Sequence, residues 1–132
     1  MPAIESELAE HLEDQAIGTV GTDIFYSKMP ADVDNCIGVL HTGGSGASMA
    51  GPKRNLTFQI VVRNTNIDTA KAKANSIRQL LHADDSTNQT DYDLPSGSRV
   101  LTGFAIQEPY NLGQDENNRY EVVANYQLTI AN

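Results

Sequence analysis

A chain of 132 residues, 39% hydrophobic and without tryptophan, has room for one aliphatic core and not for two. Its 9 basic against 17 acidic side chains leave a net charge of −8, which argues against a tight grip on a phosphate backbone. The single cysteine excludes an intramolecular disulfide, no apolar run approaches the roughly 20 residues of a membrane span, and the acidic residues 1–14 lack the basic start of a secretory leader, so a soluble, unsecreted protein is expected.

Ile4, Leu8, Leu12 and Ala16 recur at four-residue spacing, with Glu7, Glu10, Glu13 and Asp14 elsewhere on the wheel. This predicts an amphipathic helix with an acidic outer face, ended by Gly18 and Gly21. Residues 22–28 read as a short strand closed by Met29 and Pro30, and residues 36–42 as a second strand with Cys36 as a small buried hydrophobe. Residues 43–52 hold Gly43, Gly44, Gly46 and Gly51 and only one large side chain, Met49, which reads as a long mobile loop that orders on a partner.

Leu56, Phe58, Ile60 and Val62 line one face of a third strand over 56–63. After a turn at 64–66, Asp68 is the expected N-cap of a second helix running to about residue 82. Ala70, Ala74, Ile77 and Leu81 form its inward stripe, and Lys71, Lys73 and Arg78 lie outside it. Residues 83–93 are polar and turn-rich with a short strand at their end, and residues 100–107 form the next strand. A turn at 113–119 then leads into the last strand, where Tyr120, Val122, Ala124, Tyr126, Leu128 and Ile130 share the buried face. The order predicts a single α+β domain over 1–132: a mainly antiparallel sheet of five or six strands with two principal helices packed on it.

No catalytic, cofactor or metal site is expected. The glycine-rich loop lacks the Gly-Lys-Ser/Thr ending of a phosphate-binding loop and precedes a strand, and Ser45 in Gly43-Gly-Ser-Gly-Ala47 has no helix after it to make a nucleophile elbow. His11, His41 and His82 have no metal-ligand spacing, and the acids from Asp84 to Asp93 lack the glycine and final glutamate of a calcium loop. Lys53 and Arg54 are too small a patch to read nucleic acid.

What remains is the overall pattern: an amphipathic helix, Gly21-Thr-Asp-Ile-Phe25, His41-Thr-Gly-Gly44, an alanine-rich helix ending Leu80-Leu-His82, and the turn from Gly113 to Arg119 before the final strand. In this order the chain resembles the phage minor capsid and tail terminator proteins, with a longer passage at 83–98. The resemblance implies a homo-oligomeric ring, commonly a hexamer, made in the host cytoplasm and built into the virion at the tail–head junction. Its partners would be the tail tube protein and a head connector or neck protein. DNA would pass through without tight binding, past a wall whose acidity repels it and where Arg54 or Arg63 faces the lumen. The first helix presents Glu10 and Asp14 and the second Lys71, Lys73 and Arg78, so neighbouring subunits are expected to meet through opposite charges. The loop residues Gly43, Gly44, Ser45, Gly46 and Met49, with Arg54, are the other expected contact. A different head–tail connector or head completion protein fits the same pattern. A small ligand-binding or hydrolytic domain using residues 43–51 with His41 is the alternative of another class.

Overall fold

The computed structural model describes residues 4–44, 53–81, 92–95 and 97–131. Along the chain these form α1 (Ile4–Asp14), β1 (Ile24–Tyr26), β2 (Cys36–Gly44), β3 (Lys53–Asn64), α2 (Ile67–Leu81), β4 (Tyr92–Asp93), β5 (Arg99–Ala105), β6 (Tyr110–Gln114) and β7 (Tyr120–Ala131). The expected mobility of residues 43–52 and the acidic passage after residue 82 fall mostly outside the described residues, as do Ser45, Gly46, Met49 and His82.

One seven-stranded sheet runs in the order β1-β2-β3-β7-β5-β4, and β6 also pairs with β7. Its spine is the antiparallel pair β3–β7, in unbroken register from Lys53 opposite Ala131 to Asn64 opposite Tyr120. The other edge of β7 is shared end to end: β6 takes Tyr120 to Val123 and β5 takes Tyr126 to Ala131. The sheet is mixed, because β1 runs parallel to β2. That pairing is made without a crossover helix. Residues 27–35 form the connection, and two arginines rooted in other elements hold it: Arg63 Nη1 donates to Pro30 O at 2.7 Å, and Arg119 Nη1 to Ala31 O at 2.7 Å and Val33 O at 3.1 Å.

Both helices pack on one face of the sheet, α1 over β1 and β2, and α2 over β3, β7 and β5. Period-two alternation puts Leu56, Phe58, Ile60 and Val62 of β3 and Val122, Ala124, Tyr126, Leu128 and Ile130 of β7 beneath them, where they join Leu8, Leu12, Ala70, Ala74, Ile77 and Leu81 in one core. The small stripe on α2 allows a close approach. A Cβ added at Gly103 of β5 would sit 2.8 Å from the carbonyl oxygen of Leu81, the last residue of that helix.

Three local expectations are corrected. The first helix is ended by Ala16, not by the glycines: Ala16 takes the left-handed conformation at φ 63°, Ile17 N donates to Leu12 O at 2.9 Å, and Ala16 N to Glu13 O at 3.0 Å. The cap of α2 is Asn66 and not Asp68, since Asn66 Oδ1 accepts from the backbone of Asp68 at 2.9 Å and of Thr69 at 3.2 Å. The acidic face of α1 is partly turned inward. Glu7 is 5% exposed and accepts from Ser98 Oγ at 2.8 Å, while Glu13 accepts from the backbone of Val20 at 2.8 Å.

Candidate interaction surfaces

Among the described residues, the arrangement with a catalytic look centres on Glu5. Ser27 Oγ donates to Glu5 Oε1 at 2.8 Å, and His41 Nδ1 lies 4.0 Å from Glu5 Oε2. The connectivity is wrong for nucleophile activation, because the serine is bonded to the carboxylate instead of the imidazole, and His41 Nε2 faces the carbonyl of Gly43 at 2.9 Å. His41 thus takes no proton from Ser27. His11 is buried in stacked contact with Tyr92, ring centroids 4.8 Å apart. Burial holds its pKa below 6.5, with Asp14 opposing, and pushes the Tyr92 hydroxyl up to about 12. Cys36 is buried, its thiol pKa raised by desolvation against the nearby Arg63, whose Nη1 is 3.8 Å from Sγ. No group of three or more His, Cys, Asp or Glu among the described residues is placed to hold a metal ion. None of their helices is long and apolar enough to cross a membrane.

The cations named from the sequence are largely used within the subunit. Lys73 Nζ donates to Ile17 O at 2.9 Å, tying α2 to the end of α1, and Arg78 pairs with Glu108 at 3.4 Å. Lys71 and Asp14 are exposed, Glu10 and Arg54 are half-buried, and Gly43 and Gly44 are exposed at the end of β2 with φ 116° and 135°. Arg63, expected to be accessible, is buried. It is 9% exposed and ion-paired with Glu121 at 3.2 Å, because the loop over 27–35 folds across that end of the sheet. Arg119 is more buried still, at 4%, and pairs with Asp115 through Nε at 2.8 Å. The Asp115 carboxyl is held below its ordinary pKa first by the backbone N–H of Arg119, and by those of Asn117 and the guanidinium.

Among the described residues two surfaces stand open. One is the sheet face away from the helices. The other is an apolar strip along β5 and β6: Phe104 is 42% exposed, Ile106 49%, Tyr110 39% and Leu112 61%. Phe104 opposes Gln127 and Tyr110 opposes Val123, so both aromatic rings lie on the helix-free face at its β5–β6 flank. Sequence reading missed this strip, although Phe104, Ile106, Tyr110 and Leu112 are large apolar side chains within a segment otherwise rich in turn and polar residues.

The described residues form an α+β fold with a filled core and a bare apolar flank. A family model for the bacteriophage tail terminator protein matches residues 11–132, and the chain belongs to that family. It is a structural protein of the virion. No curated protein sequence matches it. A solved structure described as the virion of a native gene transfer agent particle contains a chain of the same fold, with TM-score 0.62 and 15% identity over 98% of this chain and 92% of that one.

Proposed function

We propose that the protein closes the end of a tail tube as a head-to-tail ring, six subunits being the expected number, and joins the tube to the head connector with DNA passing through its centre. The observation that carries this reading beyond the family is the strip Phe104, Ile106, Tyr110 and Leu112. A lone soluble subunit rarely leaves several large apolar side chains contiguous and bare. The strip lies at the β5–β6 side of the sheet, while on the other side the last part of β2, beyond its short pairing with β1, has no outer strand partner among the described residues. A heterologous contact repeated around an axis needs two such unlike patches, one at each side of the subunit. Nothing in this role requires catalysis, and the Ser27, Glu5 and His41 connectivity argues against a hydrolase.

Light scattering of the free protein and electron microscopy of isolated tail tubes incubated with it test the reading. Rings on tube ends are expected, and Leu112→Asp with Phe104→Asp should abolish them while circular dichroism and melting stay native. A wild-type chain that stays monomeric both alone and with tubes would refute it.

A further inference from the structure

We propose that Leu112 of one subunit fills a cavity over β2 and β3 of the next, a contact that rests on the ring reading above and names its two halves. The cavity, of about 220 Å³, lies between the end of α1 and the first turns of α2. Ile17, Ile37 and Val62 are its apolar lining, and Thr69 and Lys73 form its wall on α2. The groups at its polar rim are engaged inside the subunit. Asp23 accepts from the backbone of Thr19 at 2.6 Å, Asn35 from that of Thr65 at 3.1 Å and Asn64 from that of Asn66 at 2.9 Å, while Lys73 donates to Ile17 O. A polar ligand would have to compete with these bonds, whereas an aliphatic side chain needs only the apolar lining and displaces water from it.

The sheet register carries the match in height. Cys36 pairs with Arg63 and Ile37 with Val62, and all of these residues line the cavity. The same rows continue across β7 as Glu121 and Val122, and on β6 as Gly113 and Asn111. Leu112 is the extra residue between those two, at the register shift, and at 61% it is the most exposed large apolar side chain of the strip. Cavity and Leu112 thus lie towards opposite ends of one cross-strand row, on the flanks that a head-to-tail contact brings together. Rotation about a ring axis keeps every residue at its own height, so where the strands run along that axis the two ends of a row meet at each interface. Phe104 obeys the same rule. It lies level with Gln127, Thr57 and Gly43, and so reaches the part of β2 that lacks an outer partner among the described residues. Moving Leu112 from water into the cavity is the apolar burial that drives the contact.

Leu112 is exposed in the subunit, so its variants should fold as wild type, which circular dichroism checks. Ring assembly on tail tubes, followed by electron microscopy against protein concentration, is expected to need about tenfold more Leu112→Ala than wild type and nearly the wild-type amount of Leu112→Met. Assembly of Leu112→Ala at the wild-type concentration would overturn the proposal. Cysteine pairs joined by a short bifunctional thiol reagent, in rings assembled with excess protein, read the placement. Leu112→Cys with Thr69→Cys at the cavity should give covalent oligomers, and Leu112→Cys with Gln79→Cys, farther along α2, should not. Thr69 and Gln79 are both exposed and the native Cys36 is buried, so Leu112→Cys alone serves as the blank. Rings that crosslink from position 79 as readily as from 69, or from neither, would overturn the placement and leave the ring intact. Wild-type protein that forms no rings would remove the ring reading and this inference together.

Discussion

Gly103 is where the helix layer and the sheet come closest, and adding one methyl there tests the packing directly. A Cβ at this position would overlap Leu128 Cδ2, sit 2.8 Å from Leu81 O and lie 3.4 Å from Gln127 O. Leu128 is fully buried and has nowhere to turn, and Leu81 O belongs to the backbone at the end of α2. Overpacking of this kind costs roughly 1–3 kcal/mol, against about 0.4–1 kcal/mol returned by the lower entropy of an unfolded chain with alanine for glycine. The net expectation for Gly103→Ala is a loss of about 1–2 kcal/mol, or a fall in Tm of very roughly 4–8 °C for a domain of this size. Gly38→Ala provides the contrast, since the contacts its Cβ would meet are with the flexible side chain of Met29. Urea melts of the two variants should show the larger midpoint shift for Gly103→Ala at unchanged slope. A midpoint for Gly103→Ala equal to or above wild type would mean that α2 does not sit this close to β5.

The buried His11 favours its neutral form in the folded state, so the unfolded chain takes up the proton first as pH falls. Its contribution is complete above pH 6.5 and is lost as pH drops below that value toward the lowered folded pKa; urea melts between pH 7.5 and 5 should show the decline, and His11→Asn should flatten it. Asn66→Ala removes the α2 cap and is expected to cost about 1 kcal/mol, whereas Asp68→Ala should cost clearly less, which thermal melts of the pair will decide. Ala16→Gly relieves the left-handed strain at the end of α1 and should stabilise by about 1 kcal/mol; a lower Tm would exclude the conformation assigned to Ala16.

Much of the core was legible because strict alternation leaves little freedom: once Leu56, Phe58, Ile60 and Val62 share a face, the partner strand with Val122, Ala124, Tyr126, Leu128 and Ile130 can meet it in one way. The two helices were legible for the corresponding reason of period. The cap at Asn66 was hidden because Asp68 is equally suitable chemically and only the backbone position decides between them. Glu7 looked like a surface acid because nothing in the local spacing reveals Ser98, which lies far along the chain and reaches it through the fold. The same holds for Arg63 and Arg119, whose acceptors are carbonyl oxygens of a loop and carry no sequence signature. The interaction surfaces were the least legible part. The strip Phe104, Ile106, Tyr110 and Leu112 has no regular spacing in the sequence and shows only when β5 and β6 are laid beside β7.

The loop from β1 to β2 is fastened by guanidinium groups on backbone carbonyl oxygens, acceptors that carry no titratable group. The contact of α1 with the short edge strand β4 rests instead on His11, stacked on Tyr92 and held by burial below its ordinary pKa. The domain is therefore built with unequal fastenings. Mild acid loosens the α1–β4 corner while the arginine-held end keeps its grip, so opening is directional: amide hydrogens of α1 should be the first to exchange at pH 5, and those of β3 and β7 near Arg63 and Arg119 the last.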